Sequence, residues 1–482
     1  MPTGPSAVTD AETSRWSDLF ERRNAAPLIT LSLGVALHAF NGFLVATALP
    51  AAVIDIGGVE LMSWSFTVYS VLSIVGGAGA ARLKQMVGGR RAMILPALVF
   101  LVGTLIAGMA PTMPIFLAGR ALQGVGEGII SALCYIFIPV LFPSRLIARV
   151  FGVEAMVWAL GSFGGPLIAG VLTETVSWRM AFFVNVPVTF LFLALVMRVV
   201  PADAGNADSK ARSVPLGRLG GIGFGIMLVA VAAISHEVAS ATLLIFGAAA
   251  FLVGVFAFDR RRSDRLFPSD AFSFTTTVGA GLWMILLMPV AHASASVYLN
   301  ITAQNLWGYG PTVAGLIHAT MAMSWSGSAL IFASIDDSKR RLVLIRLGPA
   351  LVATGLAGIG LAVRYDMPWM LVPCQILIGT GFGGCWAFLS QAIMESARPG
   401  ERDVATTMLQ TVLASGYALG AAVAGLGVNM AGFAPTLGAE GIVHPVTRAI
   451  AVGVCICVLA ILAGFGVRLK PKPESSSATP GR

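Results

Sequence analysis

The sequence predicts an all-α, polytopic membrane protein, and three observations predict it. Apolar residues make up 56% of the 482 residues and charged residues only 11%, with a mean hydropathy of +0.84. A soluble domain carries about 25% charged residues, so this chain has too little polar surface to stay in water. Its apolar residues fall in blocks of ~20, the length that crosses ~30 Å of hydrocarbon at 1.5 Å per residue. In lipid every backbone polar group must be bonded internally. Continuous apolar runs achieve this as helices, not as the alternating strands of a barrel.

Between polar breaks the blocks lie near 27–50, 61–81, 92–110, 113–141, 147–172 and 180–200, then 218–236 and 240–258. Six more lie near 275–299, 312–334, 343–363, 368–394, 404–430 and 446–467. The segment 1–26 is polar and mixed in charge (Asp10, Glu12, Arg15, Asp18, Glu21, Arg22, Arg23). It lacks the basic-then-apolar shape of a cleaved signal, so the first span is expected to remain in the mature chain. A polar linker, 201–217, separates a first bundle, 27–200, from two additional helices, 218–258. A basic loop, 259–274, then leads to a second bundle, 275–467. The tail 468–482 (Lys470, Pro471, Lys472, Pro473, then serines) has a disordered composition.

Charge orients the spans. With a cytoplasmic N-terminus and fourteen crossings, the inside segments hold Arg82, Lys84, Arg90, Arg91, Arg145, Arg149, Arg198, Lys210, Arg212 and Arg218. They also hold Arg260, Arg261, Arg262, Arg265, Lys339, Arg340, Arg341, Arg346, Arg398, Arg402, Arg468, Lys470 and Lys472. Outside segments hold only Arg179, Arg364 and Arg448. Lysine and arginine favour the cytoplasmic side, and one miscounted helix would invert every later loop. Both termini are therefore expected in the cytoplasm, with the chain multi-pass in the inner (plasma) membrane. The net charge of +8 reflects this bias and is no nucleic-acid footprint. The five cysteines (Cys134, Cys374, Cys385, Cys455, Cys457) sit in apolar runs. They read as packing residues, without disulfide or metal spacing.

The fourth block contains Gln123-Gly-Val-Gly-Glu-Gly128 and the twelfth Ile378-Gly-Thr-Gly-Phe-Gly383. If the two additional helices are an insertion, two parallel six-helix halves place these runs at equivalent positions. Such repeats build alternating access around a midplane site. Any single run can also serve close helix packing.

The residues that surround these runs carry a family resemblance. Arg120-Ala-Leu-Gln-Gly-Val-Gly-Glu-Gly128 fits R-x-L-Q-G-x-G-x-G at every fixed position. Gly161-Ser-Phe-Gly-Gly-Pro-Leu-Ile-Ala-Gly170 keeps the Gly165-Pro166 pair of an antiporter signature, and Trp178-Arg-Met-Ala-Phe-Phe-Val-Asn-Val-Pro187 fits W-R-x-x-F-x-x-N-x-P. With Thr47-Ala-Leu-Pro50, Trp64 and Tyr69, the chain resembles the major facilitator superfamily, specifically its fourteen-helix branch of drug:proton antiporters. The resemblance implies two six-helix bundles plus two extra central helices. Two departures stand out. Gln85 replaces an acid in the loop Ala81-Arg-Leu-Lys-Gln-Met-Val-Gly-Gly-Arg-Arg91, where Gly88, Arg90 and Arg91 remain, and Asn41 replaces an aspartate that often precedes A-L-P.

Ionisable groups inside a membrane are costly and point to function. Arg120 and Glu127 lie seven residues apart, two turns and about 10 Å along one helix face. That is too far for a direct salt bridge and near enough for the cation to bias the acid. Burial favours the neutral acid and a guanidinium favours the carboxylate, so Glu127 is the first candidate proton carrier, Glu154 the second and Arg120 the partner. His38, near Asn41, is the fourth candidate. His292 has similar standing, against a packing role. His236, His318 and His444 sit at or near block ends, and Asp55, Glu60 and Glu395 at interfaces.

The resemblance also implies that the first helix of each three-helix unit lines a cavity. Candidate substrate contacts are then Phe40, Asn41, Phe43, Tyr135, Trp283, Met284, Met288, Gln375 and Trp386, joined by Trp158. Aromatic and methionine side chains suit a poorly specific apolar ligand. Gly161, Gly165 and Gly170, with Gly164, strip one face of the fifth block, and Pro166 permits a bend. Gly124, Gly126 and Gly128, with Gln123, form the other conformational motif. Gly416 and Gly420, with Gly425 and Gly427, suggest a weaker counterpart to the fifth block in the second half.

The expectation is a secondary active transporter, a proton-coupled antiporter exporting amphipathic small molecules. Its partners are the small-molecule substrate, protons and the bilayer, with no nucleic acid, no cofactor and a monomeric state. A specific metabolite or lipid transporter of the same fold, or a non-transporting membrane sensor, is the alternative. No P-loop, H-E-x-x-H or G-x-S-x-G context suggests an enzyme or an in-chain ATP motor.

Overall fold

A computed structural model describes residues 16–202, 215–235, 237–262, 264–335, 337–398 and 401–469. The expected disordered tail beyond residue 469 and most of the expected linker lie outside the described residues. Among the described residues the chain is helical throughout. A short 3-10 turn, Trp16–Phe20, precedes α1 (Arg22–Ile56), α2 (Trp64–Val87), α3 (Gly89–Gly108), α4 (Met113–Leu141) and α5 (Ser144–Thr175). The sixth block is broken into α6 (Trp178–Phe183) and α7 (Asn185–Val199), which run on as one 22-residue span. The inserted pair is α8 (Leu216–Ala232) and α9 (Val238–Arg260). The second half comprises α10 (Thr277–Trp307), α11 (Pro311–Phe332), α12 (Ser338–Tyr365), α13 (Leu371–Ser396), α14 (Arg402–Asn429) and α15 (Ala439–Gly464). Several helices outrun their apolar blocks, because backbone bonding continues into polar residues at each end.

Twelve helical spans among the described residues are long and apolar enough to cross a membrane. Two apolar helices are not in that set. At 17 residues α8 is short, about 26 Å by helix rise, and α11 carries His318, Ser324, Ser326 and Ser328 on 22 residues.

The two glycine runs make equivalent contacts. In α4, Gly124 and Gly128 abut the backbone of Tyr69 and Ser73 on α2, while Gly126 abuts Pro96 and Phe100 on α3. In α13, Gly379 and Gly383 abut Met321 and Trp325 on α11, while Gly381 abuts Gly348 on α12. Alternate glycines thus let the neighbouring helices approach on both faces. The glycine face of α5 repeats in the same way. Gly161 and Gly165 receive Ala39 and Phe43 of α1, and Gly416 and Gly420 of α14 receive Leu286 and Val290 of α10. Close packing and repetition are here one property.

Antiparallel alternation puts the basic turns at the end where α1 begins; this is the basic end. At the opposite end the apolar core is one cluster drawn from both halves, including Leu44, Phe116 and Trp178 with Tyr298, Phe382 and Ile442. Toward the basic end it divides. One cluster surrounds Phe100, Phe137 and Phe192; the other surrounds Met284, Ile345 and Phe388. Hydrogen bonds between the halves also gather at the opposite end. Asn300 Nδ2 donates to the Ala46 carbonyl at 2.7 Å, the Thr312 amide donates to Glu174 Oε1 at 2.9 Å, and Asn429 Nδ2 donates to the Glu60 carbonyl at 2.8 Å.

The inserted pair touches both halves. Trp64 Nε1 of α2 donates to the Ala230 carbonyl of α8 at 3.0 Å, and Asn429 of α14 reaches the Ala233 carbonyl. At the basic end, Arg218 pairs with the buried Asp259 and with Asp264, and Asp259 accepts the Leu266 and Phe267 amides. The loop that follows is tied to the second half where Ser269 donates to Glu401 at 2.9 Å.

Candidate functional site

The first half gathers most of its ionisable candidates around α4. Arg120, Gln123 and Glu127 lie on one face at intervals of three and four residues, so all three turn inward. Glu127 is fully buried. Its Oε2 accepts from Asn41 Nδ2 at 2.8 Å. Its Oε1 has no hydrogen-bond partner and lies 3.6 Å from His38 Nδ1. The Tyr69 hydroxyl is 3.0 Å from the same His38 nitrogen. Arg120 stands across the Tyr69 ring, its guanidinium carbon 4.1 Å from the ring centroid. Its remaining donors go to Gln123 Oε1 at 2.7 Å and the Ser65 carbonyl at 3.3 Å, and Gln123 donates onward to Thr104 at 2.9 Å. Tyr69 thus meets the cation through its ring, a π face that attracts it, and meets His38, beside Glu127, through its hydroxyl.

This arrangement has a chemical consequence. An ionised carboxylate in a low-dielectric site is costly unless donors and a cation compensate it. Asn41 supplies one donor, Arg120 a charge at a distance, and His38 a nitrogen that either donates or accepts. With Nδ1 protonated, the imidazole points its N–H at Glu127 Oε1 and Tyr69. With Nδ1 bare, it accepts from the Tyr69 hydroxyl. The role of this one atom thus differs between the two tautomers. The departure at Asn41 fits the same geometry: an amide donates where an aspartate would put a second carboxylate 2.8 Å away.

Glu154 forms a second polar centre nearer the basic end. It is 2% exposed, and its Oε1 accepts from Ser32 at 2.9 Å while Oε2 has no partner. One helical turn further, Trp158 packs edge-on to His38 with centroids 5.4 Å apart, and its indole N–H is 3.4 Å from the Tyr135 hydroxyl. His38 and Asn41 therefore meet Glu127, and Trp158 links His38 to Tyr135. Phe40 and Phe43 turn instead to the glycine face of α5, against Gly164 and Gly165.

In the second half the candidates are more scattered. Trp283 lies under the loop before α10, its indole donating to the Phe272 carbonyl at 2.8 Å and its ring stacked on Phe274. Met284 is buried facing Gly464 of α15, and Met288 meets Cys385. Gln375 donates to the His318 carbonyl at 3.3 Å. Trp386 packs on Trp325, which stacks on Phe382. His318, expected near a block end, lies within α11 with a buried, unpartnered Nδ1.

The remaining conformational motifs sit at the ends. Gly88 has a positive φ of 80°, which favours glycine, and lets Arg90 Nε donate to the Val200 carbonyl at 2.8 Å, closing the end of α7. Gln85 and Arg91 are exposed at the basic end. In α5, Pro166 and Gly170 face α11 at Gly315 and Thr312. Trp178 and Arg179 clamp the end of α1: both donate to Asp55 Oδ2, at 3.0 and 2.6 Å, and Arg179 reaches the Ala110 carbonyl. Sequence reasoning left out Ser32, Thr104, Trp325, Phe382 and Tyr417, and took Tyr69 only as a family mark. Residues from separate helices carry no local signal of their contact.

A probable multidrug-efflux transporter of Mycobacterium tuberculosis is 31% identical, with 92% of this chain and 96% of that protein aligned. The puromycin resistance protein of Streptomyces alboniger is 29% identical over 100% of this chain and 98% of its own. Among solved structures, a D-xylose–proton symporter superposes with a TM-score of 0.62 at 16% identity, covering 93% of this chain and 98% of that one. A nucleoside transporter gives 0.64 at 11% identity, covering 92% and 99%. These two show the fold alone. The Major Facilitator Superfamily profile matches residues 31–421, and the chain belongs to that superfamily of multi-pass membrane transporters.

Proposed function

We propose that this transporter is a proton-coupled antiporter that exports amphipathic small molecules by alternating access. Glu127 is its proton carrier, Glu154 a second acid toward the basic end, Arg120 the electrostatic partner and His38 the relay. One observation carries this reading: a carboxyl group fully buried on α4, with one oxygen bonded to Asn41 and the other open toward His38. The two relatives named for multidrug efflux and puromycin resistance support the substrate class.

The same reading assigns topology. The twelve apolar spans, with α8 and α11, make fourteen, and an even number returns the chain to its starting side. The arginine-rich end is then cytoplasmic, in an inner membrane, with both termini there, and the protein works as a monomer. A core joined at the outer end and divided at the cytoplasmic end is the inward-facing member of an alternating pair. Substrate enters between α1, α4, α10 and α13, against Asn41, Tyr135, Trp158, Met288, Gln375 and Trp386.

Reconstitution into liposomes with an imposed pH gradient tests the function. Labelled amphiphiles are expected to accumulate against their own gradient at the expense of the proton gradient. Folded protein that moves no labelled cation, anion or neutral amphiphile would refute the reading. A milder effect is expected from Tyr69→Phe. It loses the hydroxyl contact to His38, about 1 kcal/mol, and keeps the ring beneath Arg120, so the initial export rate should fall about fivefold. An unchanged rate would remove Tyr69 from the relay.

A further inference from the structure

The repeat that relates the halves makes their central chemistry comparable position by position. In each half one residue lies between the second and third glycines of the run: Glu127 between Gly126 and Gly128, and Phe382 between Gly381 and Gly383. Glu127 meets α1 through Asn41 and His38. Phe382 meets α10 through His292, with ring centroids 5.9 Å apart and an edge-on angle of 73°. An acid in one half is answered by an aromatic ring in the other.

His292 stands out because both of its polar atoms are unpartnered. It is only 5% exposed, and neither ring nitrogen has a hydrogen-bond partner. A neutral imidazole carries one donor and one acceptor, and leaving both unmade in a buried site costs free energy. Aromatic rings pack around it, and the His318 imidazole of α11 is near enough to interact with it. Phe382 lies on one contact and Tyr417 on another at 6.2 Å; Trp325 stacks on Phe382 at 4.8 Å, and Trp386 packs on Trp325 at 6.1 Å. Among the described residues, the buried polar side chains of α10–α15 are serine, threonine, asparagine, glutamine and histidine, with no carboxylate. A permanent cation would find π faces there and no counter-charge. A neutral planar group with an N–H or C=O would find faces to stack on and both imidazole nitrogens to satisfy.

We propose that His292, Phe382, Trp325, Trp386 and Tyr417 form the subsite that takes the planar, uncharged, hydrogen-bonding part of the exported solute, while the first half takes the proton. This deepens the export reading above and rests on it for the existence of an organic solute. Equilibrium binding without any gradient keeps the two separable, since a failure of export leaves binding intact and the reverse.

The experiment uses the full chain in lipid nanodiscs and fluorescence polarisation of two planar probes. One is 2-aminoacridone, neutral with N–H and C=O groups; the other is ethidium, permanently charged. The parent protein should bind 2-aminoacridone. His292→Phe should weaken it about tenfold, the size of a lost buried hydrogen bond, and leave ethidium within about twofold. His292→Gln, which keeps a donor and an acceptor, should recover most of the loss. If His292→Phe fails to fold, Phe382→Leu decides, with an expected five- to tenfold weakening of 2-aminoacridone from lost stacking. The proposal is overturned if the parent does not bind 2-aminoacridone, if His292→Phe weakens both probes alike, or if the deciding variant binds as the parent does.

Discussion

Replacing Glu127 with glutamine is expected to abolish gradient-driven accumulation while leaving a folded protein that still exchanges substrate. Glutamine keeps the length and one carbonyl oxygen, so the Asn41 Nδ2 donor, 2.8 Å from Oε2, retains an acceptor. What disappears is the ability to gain and lose a charge. A pH difference of one unit can hold a one-for-one antiporter at about tenfold accumulation, and an uncoupled carrier relaxes to equal concentrations on both sides. The Glu127→Gln protein should therefore hold a ratio near one, with an active gradient-driven rate reduced by about 100-fold or more. Counterflow of labelled against unlabelled substrate, which needs no net proton movement, should persist. Glu154→Gln should do less, because Ser32 at 2.9 Å still meets an amide oxygen and the site lies away from the Arg120 charge. Accumulation by Glu127→Gln equal to the parent's would place the coupling elsewhere.

The sequence made the architecture readable because the membrane imposes few solutions. Blocks of apolar residues at bilayer length mark helical spans without any tertiary information, and the bias of arginine and lysine to alternate loops is what the proposed direction rests on. The glycine runs were readable for a related reason: only glycine lets α2 and α3 approach α4 on both faces, so a tertiary contact is written in a local pattern. The site was half readable. Glu127 and Arg120 announce themselves by their cost in oil, and their two-turn separation follows from helix geometry. That Tyr69 reaches both Arg120 and His38, or that Asn41 donates to Glu127 from 86 residues away, depends on how α1 and α2 rotate against α4, which no period in the chain encodes. Trp283 shows a second contact that was not legible. Aromatic character on a cavity-type helix suggested ligand contact, whereas its indole is engaged by the Phe272 carbonyl, and Phe272 adopts a φ of 58° in a loop whose path local sequence leaves open. Fourteen spans were expected, and twelve among the described residues are long and apolar enough to cross a membrane. Helix α8 is short, and α11 is polar on a face that packs against protein, so neither reads as lipid-crossing on composition alone.

A second large effect is expected at the outer seam, where α5 and α11 meet. A β-carbon added at Gly170 would fall on the backbone and hydroxyl of Thr312. Thr312 cannot retreat freely, since its amide is bonded to Glu174 Oε1 at 2.9 Å and Gly315, one turn on, faces Thr47 and Pro166. Overpacking of this kind costs about 1–3 kcal/mol, and it acts only in the state where the halves touch at that end. The cost therefore shifts a population instead of unfolding a bundle, by about 5- to 150-fold toward the outward-open form. Gly170→Val should expose the buried face of α10. A cysteine introduced by Thr302→Cys, at a position fully buried in this state, should react at least about fivefold faster with a membrane-impermeant maleimide than in the parent background. Gly254→Val is the control, because a β-carbon at Gly254 on α9 meets nothing within 4 Å, and it should leave the labelling rate unchanged. Equal protection of the introduced thiol in the Gly170→Val and parent backgrounds would mean that the outer seam is not what holds the halves closed.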